Sequence, residues 1–210
     1  MASIGVRPLT DEHPFGARIR GVTHESLRDE AIRQQIRDVF EDRGMIVFEE
    51  IEASDALQIE LSSVFGPARE YAIKGGPSID EENMPGVIDI AADAGKATMY
   101  DFDGEIVAGW QRQTGEKVLH LAPWQAMAIE GQENAQGDAL FTALWDEVLA
   151  RMQPYWHQWR PDQMAIWDNW RFLHSVSGHD PKYPRAARRT TIAGDYGLGR
   201  FEGDPVRERA

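Results

Sequence analysis

Three side chains near the C-terminal end of the chain have types and spacing that suit the binding of a metal ion and an organic acid. His174 is followed by Arg185 and Arg189, at offsets of 11 and 15 residues. An imidazole can coordinate a metal, and a guanidinium can bind a carboxylate through two parallel hydrogen bonds. Each residue alone would more often be a packed or solvated side chain. Together they suggest an enzyme that uses iron and an organic acid.

The composition is that of a folded protein with an acidic surface. The 210 residues are 42% hydrophobic and 10% aromatic, which fits one globular domain with a sizeable core. The formal net charge is −13, which argues against a nucleic-acid partner because phosphate binding needs clustered lysines and arginines. A few arginines inside a pocket can still attract an anionic small-molecule substrate.

The chain contains no cysteine, and this limits its chemistry. Disulfides, thiolate metal sites and cysteine nucleophiles are excluded. A metal would have to bind to His, Asp, Glu or water, a ligand set that suits iron, manganese or zinc. The first residues contain no apolar signal region, and no stretch reaches the roughly 20 apolar residues of a membrane span. We therefore expect a soluble cytoplasmic protein with no membrane partner.

Hydrophobic periodicity predicts two helices and a strand in the first third of the chain. Apolar residues recur at helical spacing over 27–43, and Gly44 ends this helix. The apolar run 45–48 predicts a buried strand. Ser54 is placed to cap a second helix. We interpret the acidic pair Glu49-Glu50 as surface charge.

The rest of the chain is predicted to contain short strands and one long helix. The predicted strands are 86–90, 117–122, 163–167 and 189–192. A helix capped by Asp138 is predicted to run to about Met152, with Leu140 facing inward. The pattern predicts an α+β fold, one domain over residues 1–210 in which helices flank a core sheet. Since Arg189 begins a strand, its guanidinium can project from a sheet wall into a cavity.

Several segments resemble the TauD/TfdA-type Fe(II)/2-oxoglutarate-dependent dioxygenases. In that family a strand ending in Trp-Asp-Asn precedes a metal-binding histidine, and a loop leads to an Arg-Thr-Thr-Ile-x-Gly-Asp strand. The corresponding residues are Trp167-Asp-Asn, His174 and the strand that begins at Arg189. Further matching segments are 15–22, 44–48, 65–67, 114–124 and 129–131. These segments follow one another in the same order as in the family, and together the resemblance covers nearly the whole chain.

The resemblance implies a fold, cofactors and residue roles. The fold would be a double-stranded β-helix, or jelly roll, with helices packed outside. His174 would be the distal Fe(II) ligand, Arg185 would bind 2-oxoglutarate, and Arg189 would contact the acidic group of the substrate. The reaction would oxidise, typically hydroxylate, a small anionic organic molecule and release succinate and CO2. The family often forms dimers or tetramers, which allows a homo-oligomer.

One element of the family pattern is absent from the sequence. The family takes its other two iron ligands from a His-x-Asp or His-x-Glu motif, and none of the six histidines is followed by Asp or Glu at that spacing. The order of the matching segments places the missing motif between Arg112 and Gln113, where several dozen family residues would belong. The resemblance therefore predicts a jelly roll that is incomplete in this sequence. His120-Leu-Ala resembles the His-x-Ala pattern of iron halogenases, but its surroundings match a later strand of the family.

Three interpretations follow from this absence. In the first, a segment of the real protein lies outside this sequence. In the second, the deletion is real and leaves a non-catalytic binding or interaction protein on a truncated jelly roll. In the third, substitute acids such as Asp101, Asp103 and Glu105 hold the iron. For these acids a solvated turn is the simpler reading. The first interpretation is favoured because both arginines and their flanks are intact.

Overall fold

The computed structural model describes part of the chain in detail. The described residues are 3–68, 87–89, 107–110, 117–120, 128–129, 131–169, 171–175, 182, 187–192 and 200–201. Their strands are β1 (Gly5–Pro8), β2 (Ala17–Arg20), β3 (Met45–Phe48), β4 (Val87–Asp89), β5 (Val107–Trp110), β6 (Lys117–His120), β7 (Met164–Trp167), β8 (Arg188–Thr190) and β9 (Arg200–Phe201). Their α-helices are α1 (Glu30–Arg43), α2 (Asp55–Ser62) and α3 (Ala135–Arg151). This mixture agrees with the predicted α+β class.

The chain divides into two compact units. The first contains residues 1–97, 158–168 and 174–195, and the second contains residues 98–157, 169–173 and 196–210. The prediction of a single domain stays a prediction. His174 and Arg189 both belong to the first unit.

The main sheet of the first unit has the strand order β1-β2-β3-β7. β3 lies in its interior, parallel to β2 and antiparallel to β7. The predicted strand 45–48 is therefore confirmed, and Ile46, Val47 and Phe48 are fully buried. Strands that are covered on both faces carry continuous apolar runs of this kind. All described apolar side chains in the buried class lie between Leu9 and Phe65, so this part of the chain forms the core.

Helix α1 begins three residues later than predicted. Asp29 caps it by accepting a hydrogen bond from the backbone N–H of Ala31, while residues Ser26–Arg28 form a separate 3-10 turn. Gly44 ends the helix as predicted, with a φ of 70° that favours glycine. The buried face of α1 consists of Ile32, Ile36 and Phe40.

Helix α2, which follows strand β3 of the main sheet along the chain, contacts strand β8. Ser54 caps it, as predicted, by accepting a hydrogen bond from the N–H of Leu57. A partly buried side of α2 contacts β8 through an ion pair between Asp55 and Arg188 and a 2.9 Å hydrogen bond from Gln58 Nε2 to Thr190 Oγ1. These two contacts fix the orientation of β8, which pairs with β4 in an antiparallel sheet.

The second unit contains the sheet β6-β5-β9 and helix α3. The predicted helix start at Asp138 is wrong, because Asn134 caps α3 by accepting from the N–H groups of Gln136 and Gly137. Leu140 was expected to face inward but is exposed. Within the described part of the chain, no helix is both long and apolar enough to cross a membrane.

The Glu49 carboxylate joins all four strands of the main sheet, and its interpretation as surface charge was wrong. Only 6% of this side chain is exposed. It accepts hydrogen bonds from Arg7 on β1 at 2.8 Å and from Arg18 and Arg20 on β2 at 2.5 and 3.1 Å. Gln163, which directly precedes β7, approaches the same carboxylate at 3.4 Å. We call this group the Glu49 cluster. The neighbouring Glu50 is exposed, as predicted.

The three arginines keep Glu49 ionised. Burial alone raises the pKa of this carboxyl, but the hydrogen bonds from Arg7, Arg20 and Arg18 outweigh burial and lower the pKa from 4.5 to about 2. A carboxyl whose pKa is lowered by folding stabilises the folded state above its unfolded pKa. That stabilisation is lost as the pH falls from about 4.5 towards 2.

We expect Glu49→Gln to reduce the free energy of unfolding by on the order of 3 kcal/mol at pH 7, because it leaves three guanidinium groups without their shared carboxylate. The difference from the unchanged protein should shrink as the pH falls below 4.5. Urea unfolding at several pH values measures both effects. Glu50→Gln, at an exposed position, is the matched control and should cost less than 1 kcal/mol. A loss for Glu49→Gln that does not change with pH would contradict this account.

Candidate functional site

Pairing between β3 and β7 positions the segment that leads to His174. Trp167, the last residue of β7, lies opposite Met45 in the antiparallel register. The backbone N–H of the next residue, Asp168, donates a 2.8 Å hydrogen bond to the carbonyl of Gly44. The Trp-Asp part of the motif is thus held against the point where α1 ends and β3 begins.

His174 lies against the indole of Trp167. The two ring centroids are 5.0 Å apart and the rings are inclined by 53°. Aromatic rings at this separation and tilt make a favourable contact. Trp167 is partly buried, while His174 keeps a larger part of its surface in contact with solvent. One signal of this contact was visible in the sequence: an aromatic residue at the end of the strand that precedes the histidine.

Strand β8 presents Arg189 on the face opposite helix α2. Successive side chains of a strand point to opposite faces. Arg188 and Thr190 both contact α2, so the side chain of Arg189 between them points away from that helix. It is largely shielded from solvent. The prediction that this guanidinium projects from a sheet wall agrees with the alternation.

The structure brings His174 and Arg189 close enough to interact electrostatically. The pKa of His174 is lowered from its ordinary value of 6.5, first by partial burial and then by the positive charge of Arg189. Both effects disfavour the imidazolium form. A neutral imidazole is the form that can coordinate a metal. The electrostatics therefore suit His174 to a ligand role.

The structure does not describe most of the other predicted site residues. Arg185, the junction of Arg112 with Gln113, and the three candidate acids Asp101, Asp103 and Glu105 lie outside the described residues. His120 is the last residue of β6 and pairs with Val107, which confirms its interpretation as a strand residue.

The junction lies in the connection between two neighbouring strands. β5 and β6 pair antiparallel, with Trp110 opposite Lys117, and residues 111–116 join them. Connections of about this length are common between antiparallel neighbours. The structure shows the strands on either side of the junction, and the predicted missing segment stays a prediction.

Among the described residues, His174 is the candidate for one ligand of an iron site. His174 offers an imidazole, and no group of three or more His, Asp or Glu side chains suited to a metal occurs among the residues that the structure describes. An iron site of this type needs two histidines and one carboxylate on one face of the metal. His174 fits one of these positions by its donor type and its lowered pKa.

Comparison with known protein families finds a match for the part of the chain that contains the candidate site. Residues 95–191 match the family described as "Taurine catabolism dioxygenase TauD, TfdA family". This region, 97 of the 210 residues, is similar to the TauD/TfdA family. The matched region includes His174 and both predicted arginines, so the resemblance read from the sequence is confirmed.

One curated relative and two solved structures are similar to the chain. The chain is 35% identical over 83 residues to an (S)-phenoxypropionate/alpha-ketoglutarate-dioxygenase of Sphingobium herbicidovorans. A taurine dioxygenase from Burkholderia xenovorans superposes with a TM-score of 0.64 at 20% identity, over 92% of each chain. AAD-2 in complex with Mn(II) and N-oxalylglycine gives a TM-score of 0.64 at 16% identity, over 92% of this chain and 98% of the other.

The curated relative and the solved structures support different conclusions about the chain. The alignment with the curated relative covers 40% of this chain and 29% of that protein's length. The structural matches share the fold of TauD-type dioxygenases with this chain. The described strands form sheets of four, two and three strands, and these sheets are a part of the TauD-type fold. A complete double-stranded β-helix is an inference that goes beyond the described strands.

We expect Arg189→Gln to raise the pKa of His174 towards 6.5, because it removes a positive charge that opposes protonation. Arg188→Gln is the matched control, since this neighbouring arginine pairs with Asp55 on α2, and it should leave the pKa unchanged. The measurement is an NMR titration of the His174 ring protons in the metal-free protein. Equal pKa values in all three proteins would show that Arg189 does not act on His174.

Proposed function

We propose that the chain is an Fe(II)- and 2-oxoglutarate-dependent oxygenase that oxidises a small anionic organic molecule. The observation that carries this proposal is the proximity of His174 to Arg189, within a region that matches the TauD/TfdA family. An imidazole and a guanidinium that are close enough to interact electrostatically can bring a metal and an anionic group together.

Each of the three residues has a separate role in this proposal. His174 holds Fe(II) as the distal ligand, with its ring oriented by Trp167. Arg185 binds the distal carboxylate of 2-oxoglutarate. Arg189 binds the acidic group of the substrate, and its place on a paired strand favours a fixed geometry. When bound, the iron supplies the activation of O2 that accompanies conversion of 2-oxoglutarate to succinate and CO2.

The names of the relatives support an anionic substrate. Phenoxypropionate carries a carboxylate, and taurine carries a sulfonate. A guanidinium fork can bind either group through paired hydrogen bonds. In a chain with a net charge of −13, local arginines are needed to attract such a molecule. We therefore propose a small carboxylate or sulfonate as the substrate class.

The proposal extends to the parts of the enzyme that the described residues do not contain. The complete domain is a jelly roll with outer helices, and the proximal histidine and carboxylate come from a segment between Arg112 and Gln113. Its cofactors are Fe(II) and 2-oxoglutarate. A cytoplasmic location and a homo-oligomer remain expectations from the sequence and the family.

Anaerobic addition of Fe(II) and 2-oxoglutarate to the protein should produce a visible charge-transfer band. We expect His174→Ala to abolish the band, because it removes a metal ligand. Arg185→Ala should weaken 2-oxoglutarate binding by roughly 10- to 100-fold, the value of one or more hydrogen bonds to a charged group. The amplitude of the band against ligand concentration gives both affinities.

Absence of any iron binding by the full-length protein would overturn the proposal. It would leave the alternative of a non-catalytic binding or interaction protein on a truncated jelly roll. Iron binding that survives in His174→Ala would instead contradict the ligand assignment.

A second prediction separates the two neighbouring arginines of β8. Arg189→Ala should raise the KM for an anionic substrate by roughly 10- to 100-fold, with little effect on 2-oxoglutarate binding. Arg188→Ala should not, because Arg188 pairs with Asp55. Succinate release with taurine and phenoxypropionate as a sulfonate and a carboxylate probe gives the KM values. Equal effects of the two variants would defeat the role given to Arg189.

A further inference from the structure

A cavity away from His174 lies beside the Glu49 cluster. It has a volume of about 180 Å³ and is lined by Gly5, Val6, Arg7 and Arg20. This volume is well above the ~10–15 Å³ that a single water molecule requires. We call it the Arg7–Arg20 cavity. It is open to solvent and lies beside the paired strands β1 and β2, so a small molecule can enter it.

The strand register explains why two arginines line this cavity. Gly5 lies opposite Arg20 and Arg7 lies opposite Arg18 in the antiparallel pair β1 and β2. Alternate residues of a strand share one face of the sheet, so Gly5 shares a face with the arginines. The absent side chain of Gly5 leaves open space directly beside Arg20. A Cβ atom built on Gly5 would meet no other atom within 4 Å.

The charge around the cavity is positive although the chain is acidic. The Glu49 cluster contains three arginines and one carboxylate, and Arg20 also approaches the exposed Glu50 at 3.2 Å. Three positive charges thus face two negative charges. The local excess of one positive charge contrasts with the net charge of −13 for the chain. Such an excess raises the local concentration of anions.

Both lining arginines keep donors that Glu49 and Glu50 do not use. Within the described part of the chain, Arg7 contacts Glu49 through Nη2 alone, which leaves Nε and Nη1. Arg20 contacts the two carboxylates through Nε and Nη1, which leaves Nη2. Their side chains are 54% and 48% exposed. These nitrogens are therefore available to a ligand, and Glu49 restrains the side chains that carry them.

We propose that the Arg7–Arg20 cavity binds a small oxyanion, namely a phosphate or carboxylate group of a soluble molecule. A guanidinium offers parallel N–H groups that match the oxygens of these anions. Glu49 orients both arginines before the ligand arrives, which reduces the entropy cost of binding. This site is separate from the residues proposed for iron, and it does not depend on the proposed oxygenase activity.

Thermal unfolding in the presence of added anions tests the proposal. Inorganic phosphate and malonate are the two probes, and sodium chloride at the same ionic strength is the reference. A bound oxyanion should raise the unfolding midpoint in a saturable way, by about 3 °C at ten times its dissociation constant. A rise with phosphate alone would identify a phosphate ligand, and a rise with both probes would identify a general oxyanion site.

Gly5→Leu fills the cavity without changing the charge, and it should weaken anion binding at least tenfold. Arg7→Gln removes one donor group and should have a similar effect, while Arg18 and Arg20 still hold Glu49. Arg151→Gln is the matched control, because it removes the same charge from an exposed pair on α3. Stabilisation no greater than that by sodium chloride, or equal stabilisation of Gly5→Leu and the unchanged protein, would overturn the proposal.

Discussion

The buried carboxylate of Glu49 is the interaction on which the main sheet depends. It lies directly after β3 and contacts side chains from β1, β2 and the residue before β7. A carboxylate removed from water costs free energy unless several donors satisfy it. Here three arginines do so and keep it ionised to low pH. The strands are only four residues long, and the shared carboxylate adds a constraint that links all four.

The same sheet sets the position of the candidate iron ligand. β3 pairs with β7 along its whole length, so the place where β7 ends is fixed by the place where β3 begins. The hydrogen bond from Asp168 to Gly44 extends this connection by one residue. The indole of Trp167 then contacts the ring of His174. A continuous series of contacts therefore runs from the core strand to the histidine, and core packing contributes to the geometry of the site.

Local patterns in the sequence were sufficient for the elements and for some of their ends, but not for every end or for their partners. Gly44 and Ser54 were recognised because a left-handed C-terminal glycine and a serine cap act on their own backbone neighbours. Asp138 was mistaken for a cap because Asn134, four residues earlier, offers the same chemistry. Glu49 was misread because its partners are 29 to 42 residues away, and a single sequence contains no direct signal for such a pairing. His174 and Arg189 were proposed as site residues from a family motif rather than from local patterns, and these roles stay predictions.

Adjacent arginines of β8 show why residue type alone does not assign a role. Arg188 and Arg189 have the same side chain and differ by one position, yet the strand places them on opposite faces. Arg188 forms an ion pair with Asp55 and helps to hold β8 against α2. Arg189 acts on His174 instead. A shift of the register by one residue would exchange these positions. The hydrogen bond from Gln58 to Thr190 opposes such a shift, so the contacts that dock α2 also keep the side chain of Arg189 on the opposite face of β8.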